Sequence, residues 1–240
     1  MTLDPRIRMW PAEPSVAPEP IPPAPVDVRD MIVVHTALLR EYRLTPALIR
    51  LVADGDVRRA EIVGAHLHFL DDLLHHHHAG EDDLLWPKLL ARVPAELAPL
   101  IELMELQHHR IEVALNLVNG ALAAWRASAD VEIRDRLADQ VQELHALLAT
   151  HLDTEERDLL PLASTCLTAQ EWQEIGRSGV SALPKLKVPM VFGMFMYEGA
   201  PEVLADMLRT VPALPRLLLP GIARRSYARY ARKVHGVPAP

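Results

Sequence analysis

The chain has a single cysteine, Cys166, in 240 residues. That excludes an intramolecular disulfide framework, and a reducing, cytoplasmic setting is the expectation. Aromatic residues are scarce, at 5%, while Leu and Ala dominate with charges interleaved, which is the composition of helical bundles rather than sheets. No run approaches the roughly 18 apolar residues of a membrane-spanning helix; the longest candidate, Val188 to Tyr197 (VPMVFGMFMY), is too short. The first residues lack the apolar region of a secretory signal, so no signal peptide is expected. From Met207 onward there are seven Lys or Arg and no Asp or Glu. The net charge of −7 therefore divides into a body at −14 and a basic tail, which argues against nucleic acid as the partner of the body.

Three segments follow from composition and periodicity. Residues 1–26 hold eight prolines and little apolar periodicity and read as a disordered or extended arm. Residues 27–167 carry four long helical patterns, about 27–53, 57–92, 94–127 and 131–163, separated by "DGD", Pro94 and "SAD". Short connections between long helices imply an all-α, antiparallel up-down-up-down four-helix bundle. Residues 168–240 form a helical C-terminal extension: Thr168 and Glu171 spell a capping box, and a basic helix spans about 216–234. That last helix is expected to pack on the acidic bundle, with a membrane surface or an anionic partner as the alternative.

Histidine is plentiful where cysteine is not, and four stand together in "LLHHHHAGEDDLLWP". On a helix the four fan over about 300°, so no single centre can take them all. Phase with Leu70, Leu73 and Leu84 selects His77, and a second copy of the pattern supports it. "HHAGEDDLLWP" pairs with "HLDTEERDLLP", so that His77, Glu81 and Pro87 have the spacing of His151, Glu155 and Pro161, and each copy carries a further acid after its Glu. His35 precedes the first copy by 42 residues and His108 the second by 43. At about 1.5 Å rise per residue, the outward and return paths between these residues cancel to within about 5 Å. Four imidazoles and two carboxylates therefore converge at one height inside the bundle.

Burying two ionised carboxylates costs several kcal/mol unless a strong countercharge offsets it. Two divalent metals bridged by Glu81 and Glu155, with His35, His77, His108 and His151 at the flanks, supply that charge. Imidazole and carboxylate ligands without thiolate favour iron, then manganese, over structural zinc. Around this set, Glu112 is a candidate seventh ligand, although a solvated helix residue is the plainer reading. His66 is expected to hydrogen-bond a metal-holding histidine. Tyr42 is placed to line the pocket as a proton or electron donor, or simply to pack in the core. The plain alternative for the whole set is a bundle that tolerates polar residues on its helix faces.

Residues 27–167 resemble the hemerythrin family, in particular bacterial HHE cation-binding proteins. The resemblance is carried by "HHAGEDDLLWP", by "QHHRIE" and by "HLDTEERDLLP". It implies a non-haem centre of two iron ions at His35, His77, Glu81, His108, His151 and Glu155, taking O₂, NO or peroxide. Oxygen-carrying hemerythrins have a second histidine where Glu112 stands, and a His and Asp five apart where His151 and Glu155 are four apart. The site is thus nearer the four-His, two-Glu relatives associated with nitrosative and oxidative stress and iron-centre repair. Peroxide disproportionation or iron-centre repair is one alternative activity, and a metal-stabilised interaction bundle without redox chemistry is another. A homodimer through an exposed apolar face is compatible with the sequence.

Overall fold

The computed structural model describes residues 24–209 and 211–240. Most of the proline-rich arm lies outside the described residues. All regular structure among the described residues is helical.

Helix α1 spans Arg29–Arg50 and α2 spans Val57–Gly80. A π-helical turn, Glu81–Leu85, leads into the short α3, Trp86–Leu90. After a 3₁₀ turn at Ala95–Leu97, α4 runs over Ala98–Ser128 and α5 over Val131–Thr154. A second π-helical turn, Glu155–Leu159, leads into α6, Leu160–Cys166. The single helices expected over 57–92 and 131–163 are therefore each interrupted at the glutamate. The physical reason is the proline that follows. Pro87 and Pro161 have no N–H, and their rings would crowd the carbonyl four residues back in a regular α-helix. The wider π turn relieves this, with the N–H of Trp86 donating to Glu81 O and that of Leu160 to Glu155 O.

Helices α1, α2, α4 and α5 pack in a ring, each against two others. The α1–α2 and α4–α5 turns lie together: Gly55 N–H donates to Ala129 O at 3.1 Å and Val131 N–H to Asp54 Oδ1 at 3.2 Å. Gly55 (φ 74°) sits in the left-handed region that glycine enters without a steric penalty, while Ala129 takes the same region at φ 51° to end α4. Asp130 then caps α5 by accepting from the N–H groups of Glu132 and Ile133. At the opposite end of α1, Val26 pairs with Ser164 of α6.

Two apolar clusters fill this frame. The larger includes Leu38, Leu70, Leu74, Ile111, Val118, Val141, Leu148 and Leu152. The smaller includes Met31, Leu85, Trp86, Met104, Leu159 and Leu160. On α1 and α4 the candidate histidine falls between a residue of one cluster and a residue of the other, His35 between Met31 and Leu38 and His108 between Met104 and Ile111, while α2 and α5 end near theirs and the following π turns supply Leu85 and Leu159 to the smaller cluster. The fold thus places a polar layer between two dry ones.

The C-terminal segment comprises α7 (Ala169–Ala182), α8 (Val188–Phe195), α9 (Pro201–Met207) and α10 (Ala213–His235). Thr168 and Glu171 form the reciprocal capping box. The basic helix packs on the bundle. Tyr227, Ala231 and Val234 join the larger core, and Arg59 of α2 donates to the carbonyls of Lys233 and Val234 at the C-terminal end of α10. Helices α8 and α10 approach so closely that a Cβ at Gly193 would run into the Ala223 carbonyl.

Candidate metal centre

The six side chains singled out by spacing meet in the polar layer. His35, Glu81, His151 and Glu155 are fully buried, His108 is 6% exposed, and the His77 side chain is 9% exposed. The imidazoles form two pairs, His35 with His77 and His108 with His151, each with Nε2 atoms 3.1 Å apart. The carboxylates lie across both pairs. Glu81 is 3.3 Å from His77 Nε2 and 3.4 Å from His108 Nε2. Glu155 is 3.6 Å from His35 Nε2 and 3.7 Å from His151 Nε2. Each glutamate thus borders one histidine from each pair.

What aims the imidazoles inward is a set of groups outside the cluster. Glu156 holds His35 Nδ1 at 2.9 Å, Asp82 holds His108 Nδ1 at 2.7 Å, and Gln107 Oε1 lies 3.1 Å from His151 Nδ1. With Nδ1–H donating to these acceptors, the Nε2 lone pair faces the cluster, the tautomer a metal requires. Asp82 and Glu156 are the acids that follow the two glutamates in the repeated motif. Each reaches across to the other hairpin, so the sequence repeat becomes a pseudo-twofold exchange of supports. The repeat made the second acid visible, but its partner could not be read from one chain segment.

All four oxygens of Glu81 and Glu155 are buried without a hydrogen-bond donor. Burial raises Glu81, and burial together with the Glu81 charge pushes Glu155 up to about 8. His151 is held down at about 2 by burial and by the neighbouring His108 and His35. Burial also depresses His108, but the adjoining Asp82 and Glu81 carboxylates outweigh it and push His108 up to about 10. Orphaned carboxylates and inward lone pairs are unfavourable without a cation and well satisfied by one, so the residues present fit a metal centre. Within this cluster, ligand atoms close enough to share an ion fall in two overlapping groups: His35, His77 and Glu81; and His78, Glu81, His108 and His151.

The expectation for His66 is corrected, while Glu112 and Tyr42 take the plainer of their two readings. Glu112 is exposed and stands away from the cluster; the buried seam of α4 runs Met104, His108, Ile111, Leu115, Val118, which leaves position 112 outside it. His66 does not touch the six residues and instead meets Glu41 and His235. Tyr42 donates to Asp71 Oδ1 at 2.8 Å, two turns along α1 from His35. Asp71, two turns before His78 on α2, is itself buried. His78 is buried as well and stacked on His108 with centroids 4.1 Å apart, and its Nε2 has no partner. Its counterpart in the second copy is Leu152, which is why the repeat did not select it.

An apolar cavity of about 130 Å³ reaches His77 from outside the bundle. Val34, Leu73, Ile175, Val180, Leu183 and Phe195 line it. Helix α7 forms one wall, so the C-terminal segment takes part in the approach to the cluster.

Among the described residues, an all-helical fold with a buried His and Glu cluster between apolar layers defines a helical cation-binding protein. The family model of the hemerythrin HHE cation-binding domain matches residues 26–163, and the chain belongs to that family. No curated protein and no solved structure matches the chain. Among the described residues, no helix is long and apolar enough to cross a membrane.

Proposed function

We propose that the protein is a non-haem di-iron protein that binds, senses or turns over a small oxidant. Its ligands in this reading are His35, His77, Glu81, His108, His151 and Glu155, on an antiparallel up-down-up-down bundle spanning 27–167. The observation that carries the proposal is the pair of buried glutamates whose oxygens find no donor, each set between histidines of both pairs. Two iron ions bound there supply redox chemistry toward O₂, NO or peroxide.

The chain's own residues do the rest. Glu156, Asp82 and Gln107 fix the imidazole tautomers. The two apolar clusters exclude water, and the cavity at His77 gives one side of the cluster an approach. Its lining favours small, uncharged, weakly hydrated molecules, which places O₂ and NO ahead of charged oxidants.

Iron content and the optical and EPR spectra of the loaded protein, before and after NO and peroxide, test this reading. Two irons per chain and a spectral change with one of these oxidants are expected. Less than one iron per chain, unchanged by His77→Ala, would overturn it. Iron uptake with no response to any oxidant would favour the metal-stabilised interaction bundle. A Cβ at Gly176 or Gly179 meets nothing within 4 Å, so Gly176→Leu is expected to fill the cavity. It should slow NO binding in stopped-flow experiments while leaving the iron content unchanged.

A further inference from the structure

A second buried cluster of metal-ligating groups lies elsewhere in the fold. Glu41 of α1, His66 of α2 and His235 at the end of α10 bring one carboxylate oxygen and two imidazole nitrogens within 4.8 Å of one another. Glu41 is fully buried, His66 is 1% exposed, and the His235 side chain is 3% exposed. Six residues separate Glu41 from His35 along α1, or about 9 Å, and no residue is shared with the centre described above.

The geometry is that of a ligand set. Glu41 Oε2 lies 3.0 Å from His235 Nε2 and 3.6 Å from His66 Nε2. Two metal–ligand bonds of about 2.1 Å at a tetrahedral angle separate their donor atoms by about 3.4 Å, within the same span. The opposite carboxylate oxygen is held in place. Glu41 Oε1 accepts from Tyr227 Oη at 2.7 Å and from Arg40 Nη2 at 2.9 Å. The Arg40 charge is itself shared with Glu198 at 2.9 Å. Glu41 Oε2 is thus the oxygen turned to the two imidazoles. His66 is supported from behind, its Nδ1 2.7 Å from Tyr230 Oη, an arrangement of the kind that orients metal-binding histidines.

Hydrogen bonding alone leaves His66 poorly used. Its Nε2 is too far from Glu41 for a hydrogen bond, and without a metal it can only donate to the Thr45 hydroxyl oxygen across a long 3.4 Å.

We propose that Glu41, His66 and His235 form a second, mononuclear site for a divalent transition metal, which staples the C-terminal helix to the bundle. Two imidazoles and one carboxylate suit ferrous iron or zinc and are poor ligands for calcium or magnesium. The ligands come from positions up to 194 residues apart, so metal bound here adds directly to the stability of the docked helix.

Metal counting on the intact chain tests the site. Metal-stripped protein is loaded with zinc or with ferrous iron, desalted, and measured by inductively coupled plasma mass spectrometry. His235→Ala and His66→Gln should each bind one metal fewer per chain than wild type, with helicity by circular dichroism unchanged. His151→Ala should lose metal from the first centre and keep the one bound at Glu41. Wild-type stoichiometry in both His235→Ala and His66→Gln would overturn the proposal. If His151→Ala loses nothing while His235→Ala loses one metal, the di-iron reading fails and the second site stands. A chelator should lower the melting temperature of His151→Ala but leave that of a His151→Ala, His235→Ala double variant unmoved; equal shifts in the two would also overturn it.

Discussion

Glu41 and Glu155 are both fully buried glutamates in one helical bundle, yet their surroundings drive them in opposite directions. Burial alone would raise both. For Glu41, hydrogen bonds with His235 and Tyr227 and the Arg40 charge outweigh it and hold the carboxyl at about 2. For Glu155, nothing donates to either oxygen, and the Glu81 charge adds to burial to give about 8. In the metal-free chain the first carboxylate is already compensated on one oxygen by Arg40 and Tyr227, and its other oxygen is turned to His235 and His66. The second, with Glu81, is kept ready for a cation that the chain does not supply. Equal burial therefore says little about a carboxylate's role until its donors are known.

The same substitution at the two positions should have opposite effects, and this is the largest contrast expected. Glu155→Leu should remove at least one bound metal ion per chain, measured by metal analysis. It should also stabilise the metal-free protein by about 1–3 kcal/mol in urea melts, because an unsatisfied buried group is gone. Glu41→Leu should instead destabilise the metal-free protein by about 3 kcal/mol, since Arg40 is left buried with only Glu198 as its anion. A loss of stability at both positions would break the comparison.

Arg40→Met approaches the same contrast from the cation's side. It leaves Glu41 to Tyr227 and His235 and should cost about 2–3 kcal/mol by urea melts, with the metal content of the six-residue cluster unchanged. A cost below about 0.5 kcal/mol would show that Glu41 does not depend on Arg40.

Acid and alkali should separate the two groups as well. Glu41, lowered from 4.5 to about 2, contributes stability above pH 4.5 that is lost as the pH falls through 2. Glu155, raised from 4.5 to about 8, contributes stability to the metal-free protein below pH 4.5 that is lost as the pH rises through 8. Metal uptake near pH 7 must therefore displace a proton from Glu155, and another from His108 at about 10. Affinity should rise about tenfold per pH unit for each proton released between pH 6 and 8. A pH-stat titration that records no proton release would contradict this.

The smallest effect is expected at His78, where the two copies of the motif differ. His78→Leu installs the residue type found at Leu152 in the second copy, so metal binding should survive with affinity changed by no more than about tenfold. A loss beyond that, with an altered EPR signal, would make His78 a ligand.

Much of the centre was legible because helical phase is a local property. His77 with Glu81 and His151 with Glu155 stand four apart on one face, and the repeated motif with its proline distinguished them from neighbouring histidines and acids. The heights of His35 and His108 followed from counting residues to each turn. Glu112 shows where counting fails. Four residues from His108 is the correct spacing for one face, but His108 lies at the edge of the α4 seam and the next step falls outside it. Asp71 and His78 show the converse: polar residues of α2 that turn into the bundle, Asp71 to Tyr42 of α1 and His78 onto His108 of α4.

Periodicity and spacing were enough for the helical stretches, the Thr168 capping box, the repeat and the common height of the six positions, because each depends on backbone geometry over short stretches. The docked helices alone settle that Glu156 holds His35 and Asp82 holds His108 across hairpins, that the turns at Glu81 and Glu155 open to π geometry, and that His66 meets Glu41 and His235. Those outcomes depend on how helices are rotated and docked against one another, and that is set by the summed packing of side chains distant in sequence.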